Sequence, residues 1–439
     1  MMKRGIPPPT GGLQYFTPLV GINLDINIIV NKRRKNKSMV GMEYLRRKLE
    51  QKRNRVLTRY KYYESKNDTL NPSPAVPQRL EQIYNSVLGW PAKAVDSLAD
   101  RIVFREFAED NFNINEIYQM NNPDVLFRSA IHEALIGSCS FIYISEDEDG
   151  YPRLQVIDGA NATGVIDPIT GLLAEGYAVL ERNDLGIPLI EAYFVPNQTQ
   201  IFTADYTMTY THNVNYPLLV PIIYKPDAKR PFGHSVITRA AMDLTDKARW
   251  TITRADITAE FYSFPQKYVV GLSQDAEPLD AWKATISAML QFTKDDDGDR
   301  PSVGQFQQTS MTPILEQFRL YASAFAGETG LTLDDLGFPT ANPSSSEAIK
   351  AAHENLRLTA RAAQKTFGSG LLNAGYLAAC LRDGFPYKRS QLYLTKPKWE
   401  PVFEPDASAL SGIGDAAIKL QQSFPDYFDA EKLKDLTGI

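Results

Sequence analysis

The chain has 439 residues, 43% apolar and 23% charged, the balance of a folded protein with two or three domains or one large discontinuous one. Its two cysteines, Cys139 and Cys380, stand far apart in sequence, which argues against a disulfide framework and for a reducing compartment; no run of 18 apolar residues exists, since 13–30 is broken by Pro18, Gly21, Asn23, Asp25 and Asn27. The net charge of −5 conceals an asymmetry: residues 1–66 carry 16 Lys+Arg against 4 Asp+Glu, and the remainder 31 against 48, a net of −17 that is the reverse of the basic face expected of a conventional nucleic-acid binder.

Residues 1–42 differ from the rest. The stretch 1–12 is rich in Pro and Gly, and 32–37 (KRRKNK) is a basic run. This is the pattern of a mobile, solvated tail or of an arm facing nucleic acid or another partner. Met39 and Met42 are further candidate starts, because the more regular sequence begins after them. Residues 43–64 read as a basic helix with Leu45, Leu49, Val56 and Tyr60 on one stripe, followed by a Pro/Asn/Ser loop at 67–77. In NSVLGWP (85–91), Pro91 suits a first helical turn, with Ala94, Val95, Leu98 and Ile102 facing inward and the strand IVFREF after them. A helix at 124–136 stops at Gly137. Strands at 140–145 and 151–157 flank a turn, and β-rich sequence continues to Tyr224, with turns at Asp167-Pro168, Thr170-Gly171 and Asn183-Asp184.

A long helix is expected over 236–263, roughly 42 Å at 1.5 Å per residue. Ile237, Ala240, Leu244, Ala248, Ile252, Ala255 and Ala259 share its apolar face; Arg239, Asp243, Asp246, Arg249, Arg254, Asp256 and Glu260 share the other. Phe264-Pro265 ends it. A short strand (267–272), a short helix (278–290, with Leu279, Trp282, Ile286 and Leu290 as its stripe), a charged loop (294–301) and another strand (303–307) follow. A second long helix, roughly 27 Å, runs over 312–329 with Ile314, Phe318, Tyr321 or Ala322, and Phe325 inward. Breakers crowd 331–343. Ser344 and Glu347 then make an S-x-x-E capping box for a helix to about Leu381, which Gly368, Gly370 and Gly375 should weaken or kink. Residues 396–403 read as a strand returning to the β-rich lobe, and 407–424 and 430–436 as helices.

No catalytic constellation is visible. His132, His212, His234 and His353 stand outside every zinc-binding pattern, and there is no C-x-x-C, no nucleophile elbow and no P-loop. The last point excludes a P-loop NTPase. His234 reads as a structural turn residue. The acidic loops beginning at Ser145 and Thr293 lack the first carboxylate and the bidentate glutamate of a calcium loop, so plain turns are favoured. No enzyme, metal or cofactor is expected.

The blocks PFG-S-I (231–237), LTD (244–246), AEF (259–261) and PQ-YV-GL (265–272) occur in order, after the tryptophan-proline helix and before the breaker loop and capped helix. From about Tyr60 to the C-terminus the chain resembles the portal proteins of tailed bacteriophages, in the SPP1-like siphophage branch. The resemblance implies an α+β portal fold: a β-rich wing (43–235), a two-helix stem (236–263 and 312–330) around a small αβ clip (264–311), a tunnel loop (331–343), a long kinked helix returning to the wing (344–405) and a small helical crown (406–439). It implies a homo-oligomeric ring of about twelve subunits at one capsid vertex of the virion, assembled in the host cytoplasm. Its partners would be the large terminase, the head-to-tail adaptor, the major capsid protein and the double-stranded DNA passing through the channel, with no membrane involved. Asp334, Asp335, Thr340, Asn342 and Ser344 would then face the channel, and Asp295, Asp296, Asp297 and Asp299 would meet a partner at the clip. Twelve such bodies sum to roughly −200 charges, which keeps a conduit from trapping a polyanion. The alternative is a capsid-associated scaffolding or adaptor protein that uses the same helices without a channel.

Overall fold

The computed structural model describes residues 40–67, 85–263, 267–270, 302–305, 310–339, 346–403, 407–423 and 433. The chain divides into Met1–Gly41 and Met42–Ile439, and the architecture below belongs to the second unit. It is an α+β fold. Helix α1 (Met42–Tyr63) buries Leu45, Leu49 and Val56, three of the four stripe residues expected of it. Two of its lysines lie down rather than out. Lys48 and Lys52 run their stems toward the rings of Phe232 and Phe141 and donate from Nζ to the carbonyls of Gly164 and Ala162 at 2.7 and 3.2 Å. A basic helix can thus cover apolar surface without stranding its charges.

Next come α2 (Trp90–Ala99), β1 (Phe104–Ala108), α3 (Ile114–Gln119) and α4 (Pro123–Gly137). The β-rich region forms two antiparallel sheets. Strands β2 (Cys139–Glu146) and β3 (Pro152–Ile157) join β9 (Leu219–Ile223) in the order β3-β2-β9. Between β3 and β9, strands β4 (Ala162–Ile166), β5 (Leu173–Arg182), β6 (Pro188–Val195), β7 (Gln198–Phe202) and β8 (Thr207–Thr211) form a five-stranded meander. The turn between β2 and β3 is a plain hairpin. Asp147 accepts from the backbone N–H of Asp149 and Tyr151, and Arg153 reaches its other oxygen at 2.8 Å.

Helices α5 (Arg239–Ser263) and α6 (Thr312–Thr329) are separated in sequence by β10 (Lys267–Val270) and β11 (Ser302–Gln305), which pair antiparallel. After α6 come α7 (Ser346–Ala352) and α8 (Glu354–Arg382), then β12 (Lys396–Trp399) and α9 (Ala407–Ser423). The main core lies where α4 and α8 pack on the three-stranded sheet, with Leu135, Phe141, Ile142, Ile222, Phe367 and Leu371 fully buried. Strand β12 returns to β1, with Phe104 opposite Trp399, and not to either large sheet.

The glycines expected to weaken or kink the long C-terminal helix do not interrupt it. Helix α8 runs unbroken through Gly368, Gly370 and Gly375, and the interruption falls earlier, at His353. The three glycines serve close approach. A Cβ on Gly368 would lie 2.5 Å from Pro397, one on Gly370 2.8 Å from Ile222, and one on Gly375 would overlap Ile114. Their cost in helix propensity is met by packing that no larger residue allows.

Candidate functional site

The stretch that carries the resemblance forms the base of α5. Gly233 holds φ at +73° with the Tyr224 carbonyl pressed against its α-carbon, a place with no room for a side chain. His234 donates its backbone N–H to that carbonyl at 2.9 Å, and its Nε2 lies 2.6 Å from Asp227 Oδ2, so it is a turn residue. The imidazole contact comes first among the causes that hold the Asp227 carboxyl below its usual range, with the N–H of Arg230 next. Ser235 donates to the carbonyl of Ile136 at 2.7 Å, and Val236 N to that of Leu135 at 3.0 Å. This segment stitches the end of α4 to the start of α5. It also delays the helix by three residues from the expected start: Ser235 Oγ accepts from Ile237 N, and Thr238 Oγ1 accepts from Ala241 N as a cap.

Helices α5 and α6 run antiparallel. Thr238 donates to Glu328 Oε1 at 2.8 Å near the base, and Arg254 to Gln317 Oε1 at 3.1 Å further out. Small residues, Ala241 and Ala248 of α5 and Ala322 of α6, share the buried cluster between them, which lets the backbones approach. Trp90, at the first turn of α2, is 5% exposed and closes the base: its ring lies 5.3 Å from both Phe318 and Phe325 of α6. Helix α2 therefore serves two cores, with Trp90 and Ala94 facing the long helices and Val95 and Leu98 facing the main core.

The expected polar face of α5 is not wholly outside. Arg249 is 1% exposed, whereas Ala240 and Ala259 of the expected apolar face are exposed. The reason is a partner remote in sequence. Arg249 Nε donates to the Ser86 carbonyl at 3.1 Å, and its Nη1 stands 3.6 Å from Asp246 Oδ1. Asp246 in turn accepts from the Tyr62 hydroxyl at 2.5 Å and from Asn67 at 3.2 Å. Burial, then this carboxylate, pushes the Tyr62 phenol well above its ordinary value. The tyrosine pair ending α1 thus ties two elements, since Tyr63 donates to Asp96 of α2 at 3.0 Å.

Behind α6 the chain does not leave the body at once. Leu331 is buried, and Leu333, Leu336 and Phe338 pack against the Trp90 cluster through a 3₁₀ turn at Asp334–Leu336. Asp335 sits in this turn. Its Oδ2 accepts from Thr332 N and Oγ1, both at 2.9 Å, and lies 3.2 Å from His353 Nε2 at the α7–α8 break. Burial raises its pKa, but these bonds outweigh it and hold the carboxyl below its usual range. Asp334 is exposed. Thr340, Asn342 and Ser344, and Asp295, Asp296, Asp297 and Asp299, lie outside the described residues, as do the expected helices at 278–290 and, apart from Leu433, at 430–436. Among the described residues no cluster of metal-ligating side chains occurs, and no helix is long and apolar enough to cross a membrane.

The chain is similar to known proteins. Portal proteins of Mycobacterium phages L5 and D29 are 24% and 25% identical over 383 and 386 residues, spanning 82% of this chain and 77% of each relative. Among solved structures, a protein in the virion of a native gene transfer agent particle aligns over 88% of this chain and 99% of its own at 14% identity and a TM-score of 0.44. One in the neck of that particle aligns over the same shares at 14% identity and a TM-score of 0.45. The family described as phage portal protein, SPP1 Gp6-like, matches residues 42–401, so the chain belongs to the SPP1 Gp6-like family of phage portal proteins.

Proposed function

We propose that this chain is one subunit of a closed ring of about twelve at a capsid vertex, and that the ring is the channel for DNA packaging and ejection. In this reading α5 and α6 are the stem, β10 and β11 belong to the clip, the sheets and α1 form the wing, and α9 begins a small crown. The observation that carries it is the long antiparallel helix pair, anchored at its base by Trp90 and joined beyond its far end by a β-ribbon. Such a pair presents different faces to its two sides, as a heterologous contact that closes a ring requires. Leu315 and Leu320 of α6 are 58% and 64% exposed in the single chain, apolar surface suited to a neighbouring copy.

The role is structural rather than catalytic. The far end would dock the large terminase and later the head-to-tail adaptor, through Asp295, Asp296, Asp297 and Asp299. The wing would meet the major capsid protein. The acidic body lets duplex DNA slide, because its carboxylates outnumber the cations that would release counterions and hold it. Within 331–344 the channel-facing share falls to Asp334 and to Thr340, Asn342 and Ser344; Asp335 serves as their anchor on the body. Electron microscopy of the purified protein tests the reading: rings with a central hole near duplex width are expected, and monomers or two-fold dimers alone would overturn it.

A further inference from the structure

Away from the long helices, α1 crosses the five-stranded sheet beside the β5–β6 hairpin and leaves an open cleft of about 450 Å³. Leu49, Val179 and Ile187 give it an apolar floor, and its walls carry Arg46, Arg53 and Arg182 with Glu50 and Glu191. Arg46 is already paired: its Nε and Nη2 donate to the two oxygens of Glu191 at 3.1 and 2.6 Å, and the Tyr177 hydroxyl donates to the same carboxylate. Arg182 is held in place by neutral acceptors, Asn161 Oδ1 at 2.7 Å and the Gly186 carbonyl at 2.8 Å, which leave its charge in place. Arg53 makes no hydrogen bond or ion pair among the described residues, and its Nε is buried without an acceptor. Burial first, then repulsion from Arg53, holds the Arg182 guanidinium below its ordinary value; Asp158 and Glu191 offset only part of this.

Two guanidinium groups that repel each other across a cleft, one with an orphaned buried N–H, cost stability unless something negative sits between them. We propose that the cleft binds a small oxyanion, a phosphate group or a carboxylate, between Arg53 and Arg182, with any apolar body of the ligand over Leu49, Val179 and Ile187. The planar fork of arginine suits both anions. Glu50, exposed on α1 one turn before Arg53, attenuates the site's field.

The test is calorimetric titration of the purified full chain at constant ionic strength, with inorganic phosphate in one arm and succinate in the other. One saturable site per chain is expected in at least one arm, and the arm that saturates identifies the anion as phosphate or carboxylate. Arg53→Gln should weaken binding at least about tenfold. Because Arg53 makes no bond among the described residues, the same variant should melt at or above the wild-type temperature in anion-free buffer, which separates lost binding from lost structure. Glu50→Gln should tighten binding. Saturation in neither arm, or equal affinity in wild type and Arg53→Gln, would overturn the proposal.

Discussion

Trp90 is the residue whose removal should loosen the long-helix pair most cleanly. It is 5% exposed and lies 5.3 Å from each of Phe318 and Phe325. A tryptophan buries about 200 Å², worth about 5 kcal/mol at about 25 cal/mol per Å²; the extended-chain reference makes this an upper bound, and core Trp→Ala changes cost about 3–5 kcal/mol. Trp90→Ala should therefore cost about 4 kcal/mol, and Trp90→Phe about half of that. The loss should be local. Hydrogen exchange read by mass spectrometry should show protection falling along α6 and the 3₁₀ turn behind it, while the three-stranded sheet keeps its rate. A double-mutant cycle of Trp90→Ala with Phe325→Leu should return a coupling of about 1 kcal/mol. A total loss below about 1 kcal/mol, or exchange accelerated equally in the sheet, would refute the idea that α2 clamps the base of the pair.

Two glycine substitutions should move stability in opposite directions. Gly375→Ala drives a methyl into Ile114 and Tyr118 and should cost about 1–3 kcal/mol, whereas Gly327→Ala meets nothing within 4 Å and should gain up to about 1 kcal/mol, both read by urea denaturation. Asp335→Asn removes a carboxyl held below its usual range. The wild type draws stability from it at neutral pH and loses this as pH falls through the depressed value, so the gap between wild type and variant, about 1 kcal/mol after screening, should close below the ordinary carboxylate pKa. Glu133 is the reverse case. Burial, then Asp158, pushes it up to about 7, and its Oε2 is buried without a hydrogen-bond partner, so the folded state binds the extra proton and stability falls as pH rises from about 4.5 to about 7. Glu133→Gln should abolish that slope and gain on the order of 2 kcal/mol at pH 8, measured by denaturation across pH.

Local punctuation made much of this legible. Pro313 and Gly330 bound α6, and the stripe at Ile314, Phe318 and Phe325 follows from its period. The two short strands between the long helices were legible in the sequence, whereas their antiparallel pairing was not. What escaped depends on partners distant in sequence. Arg249 reads as surface until the Ser86 carbonyl, 163 residues away, is brought to it. Glycines in α8 read as weakness because Ile114, Ile222 and Pro397 are invisible to a helical wheel. The short helix Ile114–Gln119 was not foreseen, nor was the docking of Leu331–Phe338, a breaker-rich stretch whose four large apolar residues find the Trp90 cluster. For α1 the sequence showed a basic helix with an apolar stripe, but nothing nearby in sequence announces the carbonyls of Gly164 and Ala162 that its lysines reach.

The antiparallel course of α5 and α6 brings the outgoing and returning chain within one hydrogen bond of each other at Arg254 and Gln317, beyond the Trp90 cluster. Whatever is spliced between those points leaves the body through a doorway that its own length does not alter. Evolution can rewrite that insert, lengthening it or fitting it to a new neighbour, without repacking the hydrophobic interior behind it.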